Sequence, residues 1–180
     1  MSARRGMIAT FGLFSCSLLF AGSLYAGTYQ HSLVVDKMNF DWSVVGDTLA
    51  VKIAAPTTGW VGIGFNPSDM MKDANIVMGY VKDGEVKISD EFGTGVTSHA
   101  PDDQKGGTSN VTVVGGSEVG NTTTLEFTIP LKSGDEKDGV IDPNADTKVI
   151  FAYGPDRDSM KMKHPYHKIA TINLGSGAMK

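Results

Sequence analysis

Two separate segments of the sequence contain methionine and histidine, whose thioether and imidazole groups bind soft metal ions. Met70 and Met71 are adjacent in a polar segment, and residues 160–167 contain two methionines and two histidines. A thioether needs no deprotonation before it binds a metal, and methionine with histidine is a donor set that suits Cu(I). The methionines are also consistent with packing in a turn, because Met fills irregular gaps. Residues 160–167 alone could therefore form a metal site, and Met70 and Met71 would add ligands to it if the fold brings the two segments together.

The apolar run before Met70 has glycine at alternate positions. Residues 59–65 are Gly-Trp-Val-Gly-Ile-Gly-Phe. In a strand, Gly62 and Gly64 share the face of Trp60, because side chains alternate between the two faces. Glycine weakens the interior of a strand unless another group must approach its backbone closely. A flat ligand on that face would be such a group, and a β-bulge or close sheet packing is the alternative.

The glycine-spaced run and the segment after it resemble the DOMON family. That family has a Gly-Trp-Val-Gly-x-Gly-Phe strand, then Asn/Ser-Pro, then Met-x-Gly/Asp-Ala-Asp/Asn and an apolar strand that ends near Gly-Tyr. Trp60–Phe65, Asn66–Pro67 and Met71–Asn75 occupy these places in order. The resemblance is weaker over residues 90–145, and it returns at Val149–Gly154 and at the histidines before the last strand.

The resemblance implies axial ligands for a haem iron. In the haem-binding branch of the family, the methionine before x-Gly-Ala and a histidine before the last strand bind the iron. These positions correspond to Met71, with Met70 as the alternative, and to His164, with His167 as the alternative. Related dehydrogenase subunits pair methionine with lysine, which leaves three lysines open as the second ligand: Lys161, Lys163 and Lys168.

The resemblance also implies an aromatic pocket around haem b. The lining residues that the resemblance favours are Trp60, Phe65 and Tyr153, and further candidates are Tyr80, Phe151 and Tyr166. Basic groups that could lie near the haem propionates are Arg157, Lys161 and Lys163. The haem would be held non-covalently, because the only cysteine is Cys16 and no thioether attachment exists after it.

With methionine and histidine both bound, the iron has no open position for a substrate. The implied function is therefore single-electron transfer to a redox partner protein, such as a membrane cytochrome or an exported dehydrogenase. We expect no catalysis by the chain itself, although it would act as a subunit or partner of an oxidoreductase. The sequence has no nucleophile elbow, P-loop or HExxH motif.

Two other functions remain open. Residues 160–167 would suit a periplasmic Met/His copper-binding protein. Trp60 and the tyrosines would suit a non-redox module that binds a sugar or another small molecule between the sheets. An absorption spectrum separates the haem protein from both, because only haem gives a Soret band.

Alternating apolar residues predict that short strands position these groups. In Thr48–Ile53 and Leu125–Leu131, every second side chain is apolar and the intervening ones are mostly polar. Three other segments are apolar on both faces, as in strands covered on both sides: Gly59–Phe65, Asn75–Val81 and Lys148–Tyr153. Eight to ten such strands and no substantial helix predict an all-β fold, a two-sheet immunoglobulin-like sandwich in a single domain.

Glycine and polar residues predict the connections. Gly46-Asp47, Asp83-Gly84 and Gly120-Asn121 indicate hairpin turns. Ser98–Thr108, with His99, and Ser133–Asp146 are predicted as solvated loops whose acids, including Asp102, form turns. Ser133–Asp146 lacks the residue order of a calcium-binding loop. The last strand is predicted at Lys168–Leu174, and Gly175–Lys180 as a frayed tail.

The first residues resemble a secretory signal peptide. Arg4 and Arg5 precede an apolar stretch that ends at Leu24-Tyr25-Ala26. We expect cleavage near Ala26, which assigns residues 1–26 to the signal peptide and residues 27–180 to a periplasmic or secreted domain without a membrane span. The net charge is −4. The excess of acids disfavours nucleic acid as a partner.

Overall fold

The computed structural model describes residues 28–180, and it is a sandwich of two antiparallel sheets. The predicted signal peptide and Cys16 lie outside the described residues. The all-β sandwich is confirmed, with eleven strands rather than eight to ten. They are β1 His31–Val35, β2 Met38–Val45, β3 Thr48–Ala55, β4 Val61–Phe65, β5 Asn75–Lys82, β6 Glu85–Gly95, β7 Ser98–Pro101, β8 Thr112–Val119, β9 Thr122–Pro130, β10 Asp146–Tyr153 and β11 Tyr166–Asn173.

One sheet has five strands in the order β1-β2-β3-β9-β8, and the other has six in the order β11-β10-β4-β5-β6-β7. Side chains from both sheets meet in one core, in which Leu49, Val51 and Ile53 of β3 are all fully buried. Each such side chain contributes about 1.5–3 kcal/mol when it leaves water. The core must stabilise the domain without a disulfide, because residues 28–180 contain no cysteine.

Three predicted hairpin turns are confirmed by left-handed backbone angles. Gly46, Gly84 and Gly120 have φ of 58°, 80° and 62°, and each lies between two paired strands. Asp83 precedes Gly84 with φ of 53°, which gives two consecutive left-handed residues, as a type I′ turn requires.

Two predicted irregular segments are ordered by backbone pairing with the strand that precedes each of them. Ser98–Thr108 begins with β7, which pairs with β6, and continues into a short 3₁₀ helix at Asp102–Lys105. The C-terminal tail folds back on β11, where Lys180 N–H donates to Thr171 O (2.9 Å) and Asn173 N–H to Ala178 O (2.8 Å). The predictions of a loop and a frayed tail were therefore wrong, because local composition does not show these pairings.

Within residues 28–180, no helix has the length and apolar character needed to cross a bilayer.

Candidate cofactor site on the outer face of the six-stranded sheet

Strand β4 lies at the centre of the six-stranded sheet and has two different faces. Val61, Ile63 and Phe65 point into the intersheet core and are at most 1% exposed. Gly62 and Gly64 therefore lie on the outer face, as their spacing from Trp60 predicts. A Cβ on Gly62 would lie 3.3 Å from the Trp60 ring, which confirms that the two share a face.

The strands beside β4 give this outer face an apolar floor. Gly64 pairs with Ile76 of β5 on one side and with Ile150 of β10 on the other. Ile76, Ile150 and Ala74 form a buried cluster separate from the intersheet core, and Met71 packs against it. A Cβ on Gly64 would lie 3.1 Å from Ile76 Cγ1, so the glycine keeps the floor low between two isoleucines.

The turn before β5 places Met71, rather than Met70, on this floor. Met70 is 50% exposed and has φ of 50°, whereas Met71 is half-buried against the apolar cluster. Ala74 N–H donates to Met71 O (3.1 Å), which closes the turn, and Met71 N–H donates to Val96 O (3.4 Å). The thioether is thus attached to a turn held by main-chain hydrogen bonds.

Gly93 on β6 is a supporting residue that the sequence did not single out. A Cβ at Gly93 would lie 1.7 Å from Met71 O and 3.0 Å from Ala74 N, so only glycine allows the turn to approach the strand this closely. Gly93 N–H also donates to Ala74 O (2.9 Å). The requirement comes from a main chain twenty residues away, and no local pattern reveals it.

His164 and His167 lie together at the other end of the face. Their rings are 5.1 Å apart, and the His164 ring meets Trp60 edge-on with centroids 6.3 Å apart. His167 pairs with Ala152 of β10, which places it on the outer face in an exposed position. His164 precedes β11 and is half-buried. Both predicted histidines are therefore close to one another, and Trp60 contacts the more buried of them.

Burial lowers the pKa of His164, and the neighbouring His167 and Lys163 lower it further. The imidazole is therefore neutral at neutral pH. A neutral imidazole has a free nitrogen lone pair, the form in which histidine binds a metal.

Trp60 holds the segment that carries His164. Its indole is buried, and Nε1–H donates to Met162 O (3.0 Å) while its main-chain oxygen accepts from Gly154 N–H (2.8 Å). A Cβ on Gly154 would lie 2.2 Å from Trp60 Nε1, so glycine at this position makes room for the indole.

The methionine and histidine ends of the face are close along the strands. Ile150, which belongs to the cluster that Met71 packs against, and Ala152, beside His167, are two residues apart on the same face of β10. That spacing corresponds to about 7 Å of strand. The fold therefore brings the two predicted ligand segments to one apolar surface.

Several other predicted residues face elsewhere. Phe65 is fully buried in the intersheet core, and Tyr153 packs against the same core while it stacks on Tyr166 at 4.8 Å. Neither lies on the glycine face. Lys168 pairs with Phe151, which faces the core, so its side chain projects away from His167. Arg157, Lys161 and Lys163 are exposed in the segment before β11.

His99 was predicted to be solvated, but it is half-buried on β7 and Nδ1 bonds to the buried Glu91. Burial alone would raise the pKa of Glu91, yet the bond to His99 and its charge lower that pKa overall. Glu91 pairs with Ile76, so this ion pair borders the outer face.

The chain is similar in sequence to one domain family and in structure to two solved domains. The DOMON domain model matches residues 35–154. The cytochrome b domain of pyranose dehydrogenase from Coprinopsis cinerea superposes with a TM-score of 0.59 at 14% identity, over 78% of each chain. The cytochrome domain of Myriococcum thermophilum cellobiose dehydrogenase gives 0.57 at 12% identity, over 78% of this chain and 79% of that one. These similarities establish a shared fold.

Curated relatives are larger proteins. DBH-like monooxygenase protein 1 of Homo sapiens is 31% identical to this chain, and the match covers 70% of this chain and 20% of that protein. The Mus musculus protein of the same name is 29% identical, and the match covers 85% of this chain and 24% of that protein. DBH-like monooxygenase protein 2 of Mus musculus is 28% identical, and the match covers 76% of this chain and 21% of that protein. The chain thus spans about a fifth to a quarter of the length of these relatives.

Proposed function

Because this chain belongs to the DOMON family, we propose that it is an exported protein that binds haem b non-covalently and carries single electrons. The main support is the placement of Met71 and the His164–His167 pair on one apolar face of the six-stranded sheet. The likeness to cytochrome domains of two dehydrogenases agrees with this function.

The residues on the outer face suit a haem. We propose Met71 and His164 as the axial ligands, with Met70 and His167 as the alternatives. Met71 is preferred because it packs on the buried cluster, whereas Met70 is half-exposed. His164 is preferred because it is half-buried and its pKa is lowered, which keeps its nitrogen available.

The bound haem would supply an iron that accepts and releases one electron. The chain's own residues do the rest. Gly62, Gly64 and Ala152 carry little or no side chain on this face, and Ile76, Met78 and Ile150 beside them are apolar, which would keep water from a bound haem. Neutral methionine and histidine add no charge beside the iron, and such ligation tends to raise the reduction potential.

The alternative of a sugar-binding module is less well supported. A sugar would stack on an exposed aromatic face, but Trp60 is only 4% exposed and its indole N–H is already bonded to Met162 O. The core between the sheets is filled by Phe40, Phe65 and Phe127, each at most 1% exposed, which leaves no space there for a ligand. Copper binding by residues 160–167 remains the competing redox-metal function.

Export and partnership are part of the same proposal. The signal-like residues 1–26 would direct the chain to the periplasm or outside the cell, and the donor or acceptor of electrons would be a membrane cytochrome or an exported dehydrogenase. Dehydrogenases are the larger proteins that contain the two similar cytochrome domains.

The test is hemin titration of the purified protein, followed by absorption spectroscopy and a pyridine haemochrome assay. We expect a low-spin spectrum that Met71→Ala and His164→Ala each abolish. Met70→Ala and His167→Ala are the matched controls, and both should keep it. If the protein stays colourless with hemin, the haem proposal is wrong. If Met70→Ala abolishes the spectrum and Met71→Ala does not, the ligand assignment is shifted by one residue.

A further inference from the structure

Three buried carboxylates meet at one end of the sandwich, away from the glycine face. Asp90 of β6, Asp102 at the start of the 3₁₀ helix and Asp138 in the 131–145 connection are 5%, 1% and 5% exposed. Each offers an oxygen within 4.8 Å of the others. These residues come from three distant parts of the chain.

Several oxygens in this cluster have no hydrogen-bond donor among residues 28–180. They are both carboxylate oxygens of Asp102, Oδ1 of Asp90 and Oδ1 of Asn75. Asn75 is 4% exposed, and its amide reaches the cluster because Nδ2 donates to Asp138 Oδ1 (3.4 Å). An unpartnered buried acceptor costs about 1–3 kcal/mol, more if it is charged. Three of these acceptors belong to the carboxylates and the fourth to the amide that donates to them, so a ligand bound here would satisfy them.

Protein cations do not neutralise the cluster. Within the described residues, none of the three aspartates has a lysine, arginine or histidine nitrogen within 4.0 Å. Lys137, the basic residue nearest in sequence to Asp138, extends its ammonium group over the Phe92 ring at 5.2 Å. Asn110 donates to Asp90 Oδ2 and Asp138 Oδ2, but it adds no charge.

We infer that Asp90, Asp102, Asp138 and Asn75 bind a divalent cation of the calcium class. All the free donors are oxygens, which hard cations prefer. One oxygen from each of the three carboxylates lies within 4.8 Å of the others, so one ion could contact all three. Calcium takes carboxylate and amide oxygens together as ligands. Mg²⁺ usually keeps several waters and binds only one or two carboxylates, so it suits three carboxylates and an amide less well.

A polar cleft lies next to the cluster. It has a volume of about 580 Å³, and its lining includes Asn110, Asp135 and Lys137. Asn110 also bonds to Asp90 and Asp138, so one residue of the cleft wall contacts two of the three carboxylates.

The cation would join the 131–145 connection and the 3₁₀ helix to strands β5 and β6. Asn75 begins β5 and directly follows Ala74, whose N–H closes the Met71 turn. Asp90 lies on β6 three residues before Gly93, against which that turn packs. A bound cation would therefore hold Asn75 and Asp90, which lie next to the Met71 turn, in fixed positions. This role is structural rather than catalytic.

The experiment is thermal unfolding of the purified protein in EGTA and in about 10 mM Ca²⁺, at least tenfold the Kd of about 1 mM typical of weak extracellular sites. We expect Ca²⁺ to raise the Tm by at least about 3 °C. Mg²⁺ at the same concentration should have a smaller effect. An equal shift from Mg²⁺ would contradict the assignment to the larger ion.

Asp102→Asn separates the cation from other roles of the cluster. Without Ca²⁺ the variant should be at least as stable as the wild type, since a buried negative charge is removed; with Ca²⁺ it should be less stable. Asp103→Asn, at the exposed neighbouring position, should respond to Ca²⁺ like the wild type. Asp138→Asn serves as a second variant if Asp102→Asn does not fold.

Isothermal titration with CaCl₂ should show heat for the wild type and none for Asp102→Asn. If Ca²⁺ neither stabilises nor binds the wild type, the inference is wrong, and a shared proton compensates the cluster. These outcomes do not depend on haem, because the same measurements are made without hemin.

Discussion

Gly93→Ala is the sharpest test of how the fold positions Met71. A Cβ at this position would lie 1.7 Å from Met71 O and 2.8 Å from Met71 C. Real Cβ atoms essentially never approach closer than 3.0 Å, so the turn must move by more than 1 Å. The obstructing atoms are main chain, and no side-chain rotation can relieve the contact.

A displacement of this size is large for a metal ligand. Ligand distances in metal sites hold to within about 0.2 Å. In Gly93→Ala the Met71 sulfur should therefore no longer bind the proposed haem iron, while overpacking lowers the free energy of unfolding by about 1–3 kcal/mol. Both effects are measurable on one preparation, by absorption spectroscopy with hemin and by urea denaturation.

Gly115→Ala is the matched control, because a Cβ at Gly115 would have no atom within 4 Å. It should keep the low-spin spectrum and nearly the wild-type stability. If Gly93→Ala also keeps the spectrum, then Met71 is not the ligand or the turn does not position it. The reasoning from the close approach of strand and turn would then be refuted.

Two further predictions concern stability. In EGTA, wild-type stability should fall relative to that of Asp102→Asn as pH rises from about 4 to about 7. Burial and the neighbouring carboxylates raise the pKa of Asp102 to about 7 from 3.8, so the folded state binds one extra proton over this range and loses stability as that proton leaves. Urea denaturation at several pH values checks this, and parallel stability curves for the two proteins would contradict it. Phe127→Ala should lower the free energy of unfolding by about 3–5 kcal/mol, because Phe127 is 1% exposed in the core. Val119→Ala is the control at a 73% exposed position, and it should change the free energy of unfolding by less than about 0.5 kcal/mol in the same assay.

The strands and their faces were predictable because the information is local. Alternation in Thr48–Ile53 matches the observed burial of Leu49, Val51 and Ile53, and the spacing of Gly62 and Gly64 gives their shared face with Trp60. Side-chain period alone fixes these features.

Features that depend on long-range packing were not predictable. Asp102 lies in a sequence typical of a turn, yet it is buried because Asp90 and the 131–145 connection fold around it. His99 is held by Glu91 only because β7 pairs with β6. In each case the partner lies eight or more residues away, and a single sequence does not show which partner folding will bring.

The filled core determines where a large flat ligand can bind. Phe40, Phe127 and Phe151 close the space between the sheets, and opening it would cost several kcal/mol for each displaced ring. The outer face of the six-stranded sheet has an apolar floor with glycines at positions 62 and 64, so the proposed haem would displace no aromatic ring of the core. A haem on that face would also keep an edge near solvent, which one-electron exchange with another protein requires. The aromatic core thus serves stability, and the proposed cofactor site lies outside it.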